Sequence, residues 1–289
     1  MTHSNSPGPC GSRLRAIFLL VLVTFVFGAC ATAPPRSDVD AYNYYKEVND
    51  PIEPMNRVTL KFNRGLEKVI IKPVTKVYRF IIPRPLRKGI SNALFNLETP
   101  VILLNDLLQG EEKRAWHTLK RFAINSTVGL GGLIDVAAKG GTPRHDEDFG
   151  QTLAVHGVGE GPYIVLPFFG PSNPRDTVGL IADIFSDPLF WIFRAKNLDT
   201  LKYTRFGLDI VDTYDRHMED IEELERGSLD YYAALRSAFR QNRASEIRNG
   251  RAIPLEELED DIFDELDKEL EEEGGEGDKV SLDSNQKPT

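Results

Sequence analysis

The sequence predicts a mainly α-helical protein, and three observations carry that prediction. Apolar residues recur at spacings of three and four over much of the chain, with charged residues falling between them. No run alternates apolar and polar residues in the manner of a half-buried strand. Between Asn125 and Asp176, ten glycines and five prolines are threaded with Leu153, Val155, Val158, Tyr163 to Leu166, Phe168 and Phe169. Glycine permits positive φ and proline fixes φ, so this stretch reads as a shaped loop system joining helices.

At the N-terminus, Arg13 and Arg15 precede an uncharged apolar run from Ala16 to Phe27, followed by Gly28-Ala29-Cys30. The run is short for a membrane-spanning helix and suits a signal peptide over residues 1–29, cut so that the Cys30 thiol accepts lipid. Cys10 leaves with the signal. A disulfide, cysteine catalysis and a cysteine metal site are then excluded, and packing must hold the core. Residues 30–49 form a lipidated tether with Pro34-Pro35 at its start.

From Asp50 the pattern is helical, with Asp50 as a cap, Pro51 in the first turn, and Met55, Thr59, Phe62 and Leu66 on one face. Val74, Val77, Tyr78 and Ile81 keep a helical spacing with Lys72, Lys76 and Arg79 off it, up to the stop at Pro83 and Pro85. Asn92 to Leu108 follows, interrupted at Pro100. Next comes a helix opening at Glu111-Glu112, with Ala115, Leu119 and Phe122 on its face. Tyr203, Phe206, Ile210 and Tyr214 mark another amphipathic helix. Gly227 and Ser228 read as a stop and an N-cap before a last helix from Ser228 to Ile247, burying Leu229, Tyr232, Leu235 and Phe239. Val158 to Tyr163 reads as a turn between two apolar arms.

The formal net charge of −9 is concentrated at one end: from Pro254 to Thr289 there are fifteen acidic residues against three lysines, and the preceding body is close to neutral. No basic field suited to nucleic acid exists. In residues 251–289, Leu255, Leu258, Ile262, Leu266 and Leu270 form a narrow stripe on an acidic helix, followed by Gly274-Gly275 and a polar tail expected to be disordered.

Catalytic constellations are thin. The mature histidines, His117, His145, His156 and His217, have no metal-ligand spacing, and no G-x-S-x-G elbow is present. His145-Asp146-Glu147-Asp148 is polar enough for a weak cation site, although a solvated loop is the better reading. His156 with Ser172 and Asp176 or Asp183 makes a hydrolase triad on paper. The chain is expected not to be an enzyme and to need no cofactor.

Several motifs, in order, resemble the MlaA/VacJ lipoproteins. They are Asp50-Pro-x-Glu53-x-x-Asn56-Arg57 with Phe62-Asn63, Asn96-Leu-Glu98-x-Pro100, and Leu108-Gln-Gly110. Arg121-Phe-x-x-Asn125 then leads to Gly129-x-Gly-Gly132-x-x-Asp135-Val-Ala137. Asp148-Phe-Gly-Gln-Thr-Leu153, Gly157-Val-Gly-x-Gly-Pro-Tyr163, Leu166-Pro167 and Gly170-Pro-Ser-x-x-Arg175-Asp176 complete the set. The resemblance makes residues 50–250 one helical domain: a ring of short amphipathic helices around a central channel, with a Gly/Pro-rich hairpin loop.

The resemblance also implies an outer-membrane lipoprotein, on the periplasmic side, that removes mislocalised phospholipids from the outer leaflet and so maintains lipid asymmetry. The implied partners are phospholipid, a trimeric outer-membrane porin and a periplasmic MlaC-like carrier. Gly157, Val158, Gly159, Gly161, Pro162 and Tyr163 would border and gate the channel, and Arg175 would meet the phosphate. The acidic helix around Leu255 to Leu270 is expected to recruit the carrier. Competing readings are a porin-bound structural lipoprotein that moves no lipid, and a lipid-anchored hydrolase around His156 and Ser172.

Overall fold

The computed structural model describes residues 48–251. The signal peptide, Cys30, most of the tether and the acidic segment lie outside the described residues. The described residues up to Ile247 belong to one compact unit, to which the following account refers.

Helix α1 (Glu53–Leu66) continues through a wide π turn (Glu67–Ile71) into α2 (Lys72–Ile81). Pro73 explains the turn: it has no N–H for the Val69 carbonyl, and the ladder widens where that bond is missing. Asp50 does not cap α1 with its side chain. It is instead a buried acceptor, taking the Asn56 amide at 2.8 Å, the Tyr232 hydroxyl and an Arg236 N–H at 2.9 Å. A buried carboxylate is tolerable only when partnered in this way.

Helix α3 (Arg84–Leu108) runs through Pro100 without a break and starts eight residues before the expected Asn92. The missing bond to the Asn96 carbonyl is outweighed by packing along α4 (Glu112–Thr127). A one-turn helix α5 (Val136–Lys139) and α6 (Phe149–Val155) follow, capped by the Asp135 and Asp148 carboxylates. Two three-residue strands, β1 (Ile164–Leu166) and β2 (Gly170–Ser172), pair antiparallel with Val165 opposite Pro171. The hairpin is therefore Ile164 to Ser172, and Gly157 to Tyr163 is the loop that leads into it. That is a correction to the expected placement.

Helices α7 (Pro174–Ser186), α8 (Pro188–Ala195), α9 (Asp199–Gly227) and α10 (Tyr231–Ile247) complete the unit. The N-cap of α10 is Asp230, whose carboxylate accepts the Tyr232 N–H at 2.9 Å. Ser228 instead donates to the Leu224 carbonyl, and Leu229 is fully exposed. Leu60, Tyr163, Val165 and Tyr232 form a small core, with Leu235 and Phe239 packed against it.

Helices α6 and α7 cross at glycines. A Cβ on Gly179 would sit 2.7 Å from the Gly150 Cα, and one on Gly150 would sit 2.5 Å from an Arg243 guanidinium nitrogen. Only residues without side chains permit this approach.

The helices carry their polarity the wrong way round for a soluble protein. Among the described residues, more of the buried side chains are polar or charged than apolar. In α4 the buried face is Ala115, Thr118, Arg121 and Asn125, whereas Leu119 is exposed and Phe122 only partly covered. In α9, Tyr203, Phe206 and Ile210 face outward, and of the expected stripe only Tyr214 is buried.

Candidate functional site

The apolar exterior is densest on α1, the π turn and α2. Val58, Phe62, Val69, Ile70, Val74, Val77, Phe80 and Ile81 are all exposed, with Phe80 91% and Val69 75% accessible. The stripe expected from the spacing of Val74, Val77 and Ile81 is thus real, but it points away from the protein. Its opposite face explains why. Thr75 is fully buried. Lys72 pairs with Glu222 at 2.7 Å, Arg79 with Asp215 and Glu219, Arg87 with Asp215 at 2.5 Å, and Arg64 with Glu225. Asp215, Glu219, Glu222 and Glu225 fall at spacings of four and three, so one stripe of α9 receives all these cations. Tyr214 adds a hydrogen bond to Glu67 at 2.8 Å, at the π turn. Ion pairs tie the helices together and apolar side chains face out. Exposed apolar residues continue on the hairpin (Phe168, Phe169), α7 (Val178, Ile181, Phe185) and α8 (Trp191, Ile192), and on the turn after α4 (Val128, Leu130, Leu133).

The motif residues are a set of polar clamps. Asn56 and Asn63, seven residues apart and so on one face of α1, act as a surrogate strand along the hairpin. Asn56 donates to the Tyr163 carbonyl at 3.0 Å and accepts the Val165 N–H at 2.9 Å. Asn63 donates to the Leu166 carbonyl and accepts the Phe168 N–H, both at 2.9 Å. Arg121 and Asn125 both hold Asp135, at 2.9 and 3.0 Å, and Asn125 also takes the Ala137 N–H. Gly132 is obligatory there, because a Cβ would sit 2.5 Å from that of Asn96.

The stretch from His145 to Asp148 is not an open loop. His145 packs 3.2 Å from Asp106 and 3.1 Å from Thr118, while Glu147 is buried between Gln109 and Arg114. No group of metal-ligating side chains occurs among the described residues.

The expected gate residues divide into two groups. Gly157, Val158 and Gly159 are exposed, and a Cβ on either glycine would meet open space. Gly157 has φ +82°, the left-handed region that suits glycine. Gly161, Pro162 and Tyr163 lie at the anchored end. Gly161 abuts Pro174, its carbonyl accepts the Asn49 amide at 2.8 Å, and Tyr163 N–H donates to the Asn49 carbonyl at 2.9 Å. The Tyr163 ring is buried edge-on to Tyr232, and burial raises its hydroxyl pKa. Arg175 is buried as well: its Nε bonds Asp176 at 3.0 Å and its Nη1 lies 3.5 Å from the Val158 carbonyl. It holds the loop and is not open to a phosphate.

The triad on paper does not assemble. Exposed His156 binds the Thr152 carbonyl through Nδ1 at 2.8 Å, and Ser172 Oγ donates to the Asn173 carbonyl. Asp183 accepts the Phe149 N–H and the Asn105 amide, and Asp176 is taken by Asn173, Arg175 and Arg243.

Sequence reasoning missed Arg243. Its guanidinium reaches Asp148 at 2.6 Å, Asp176 at 2.8 Å and Glu246 at 3.0 Å, which joins α6, α7 and α10. These carboxylates hold its pKa above the ordinary arginine range despite burial, and Arg243 in turn lowers that of Asp148. Beside this clamp lies a cavity of about 330 Å³. Its lining is mixed: Leu166, Phe169, Pro171, Leu180 and Phe239 are apolar, and Asp148, Ser172, Asp176, Asp183, Asn242, Arg243 and Glu246 are polar.

Two carboxyls, Glu98 on α3 and Asp209 on α9, have raised pKa values. Burial, helped by the Asp209 charge, pushes the Glu98 carboxyl up to about 7, and burial pushes Asp209 up to about 6.

The chain is similar to known proteins. The family model described as MlaA lipoprotein matches residues 48–246. The intermembrane phospholipid transport system lipoprotein MlaA of Haemophilus influenzae is 34% identical over 88% of this chain and all of its own length. The protein of that name from Escherichia coli is 34% identical over 75% of this chain and 87% of its own. A solved chain, from a structure described as the structural basis for maintenance of bacterial outer membrane lipid asymmetry, is 33% identical. It aligns with a TM-score of 0.60 over 68% of this chain and 98% of its own.

Proposed function

Because this chain belongs to the MlaA lipoprotein family, we propose that it is a phospholipid-transport lipoprotein of the outer membrane, anchored through Cys30 on the periplasmic side. It takes mislocalised phospholipids from the outer leaflet through a passage enclosed by its helices. It passes them to a periplasmic carrier, with a trimeric porin as its membrane partner, and lipid asymmetry is the result.

The observation that carries this reading is the inverted amphipathicity of α1, α2 and α9. Each fully buried Val, Ile or Phe side chain is worth roughly 1.5–3 kcal/mol. Leaving Val69, Val74, Val77, Phe80 and Ile81 in water would forfeit that gain, and a bilayer recovers it. No helix of the described residues is long and apolar enough to cross a membrane, so these faces fit a protein lying in one leaflet. Moving a lipid needs an apolar wall for its chains and polar groups for its headgroup, because a charged headgroup left in hydrocarbon costs several kcal/mol. The hairpin and the cavity beside Arg243 offer both surfaces. Lipid transfer makes and breaks no covalent bond, and the reading assigns no catalytic step.

In this account Gly157 to Gly159 is the moving part of the gate, while Gly161 to Tyr163 and Arg175 are its fixed base. The test follows radiolabelled phospholipid passing from the full-length lipidated protein in donor vesicles to acceptor vesicles. Gly159→Val, which meets no neighbour, is expected to keep the melting temperature and slow transfer. Unchanged transfer would remove the gate, and absence of any transfer by wild type would remove the transport reading.

A further inference from the structure

The cavity beside Arg243 is bounded by four carboxylates, Asp148, Asp176, Asp183 and Glu246, and by one guanidinium. Even with every guanidinium bond made, the lining keeps an excess of negative charge. Glu246 remains 40% accessible, and each of its oxygens accepts one bond, from Asn242 and from Arg243, so this carboxylate is still free to accept. A phosphate or a purely anionic headgroup entering here meets like charge, and the one cation is already neutralised by its three partners. An ammonium meets unused acceptor capacity. The same lining includes Leu166, Phe169 and Phe239, which suit methylene and not water. The volume, about 330 Å³, takes one end of a phospholipid and not the whole molecule.

We propose that this cavity is a headgroup-selecting station, which receives phospholipids whose headgroup ends in an ammonium and disfavours those with an uncharged polyol headgroup. The proposal rests on the transport reading above and deepens it. A unit charge about 4 Å from a carboxylate in a water-like medium is worth about fivefold in occupancy, which sets the expected scale.

The experiment uses the full-length lipidated protein, exposed to vesicles of equal parts phosphatidylethanolamine and phosphatidylglycerol with matched acyl chains. Bound lipid is then quantified by mass spectrometry. Wild type is expected to enrich phosphatidylethanolamine about fivefold. Glu246→Gln is expected to lower the ratio. Asn242→Lys breaks no ion pair and brings a cation to the exposed mouth, and it is expected to abolish or invert the preference. The second substitution keeps the test decisive if loss of Glu246 unsettles α10. Lipid bound in the vesicle ratio by wild type would overturn the selectivity and leave transport standing. A preference that survives Asn242→Lys in a folded protein would place selection elsewhere and overturn this assignment. No phospholipid bound at all would overturn the transport reading itself.

Discussion

Arg243 shows what a single side chain carries in this fold. It is the only cation that Asp148 and Asp176 share among the described residues, and it joins three helices at once. Removing one partner from a buried ionic network leaves uncompensated charge, at a typical cost of about 3–5 kcal/mol. Arg243→Ala is therefore expected to lower the unfolding free energy obtained from urea titration by an amount in that range, and a change under about 1 kcal/mol would contradict the clamp. Glu98 works in the opposite sense. Its folded-state pKa, about 7, is above the ordinary 4.5. Its ionisation thus costs nothing below about pH 4.5, and stability is lost as pH rises through 7. Glu98→Gln is expected to leave stability unchanged near pH 4 and to raise it by about 1–3 kcal/mol at pH 8, as read from thermal melts. At this scale the sequence was only partly legible. Asn56, Asn63, Arg121 and Asp148 stood out as motif members, but each also bonds a segment more than ten residues away, which no local pattern shows. Arg243 belonged to no motif, and nothing in its neighbours announced a triple ion pair.

Periodicity identified the helices and left open which way they face. The spacing of Val74, Val77 and Ile81 is the same whether the stripe meets a protein core or lipid, since both are equally apolar. The cue lay on the other face, where Lys72 and Arg79, joined by Arg87 from α3, meet the acidic stripe of α9, whose residues are spaced three and four apart. Strands β1 and β2, three residues each, are too short to show alternation, so the hairpin was displaced toward the glycines before it. Pro100 read as a break because helix propensity is local, whereas the packing that carries α3 through it is not. Phe80→Asp separates fold from membrane at this scale. The side chain touches almost nothing, so the melting temperature is expected to hold within about 2 °C. Binding to phospholipid vesicles is expected to fall several-fold in flotation, measured in a Cys30→Ala background so that the proposed anchor does not mask the effect. Equal flotation of both forms would contradict a lipid-facing α2.

At the scale of the molecule, the mainly helical class, the loop system and the family resemblance were legible, because several motifs recur in order along most of the body. The inversion of polarity was not, and it is the property that connects the fold to its proposed task. On the proposed reading, ion pairs inside and apolar faces outside suit a protein lying in a leaflet, with a polar interior for a headgroup. The direct measurement is the amount of phospholipid accessible in the outer leaflet of cells lacking this protein, compared with cells restored by wild type or by Phe80→Asp. The account predicts a rise on deletion that wild type reverses and Phe80→Asp reverses only in part. Unchanged outer-leaflet phospholipid on deletion, with the protein confirmed in the outer membrane of the parent, would contradict it.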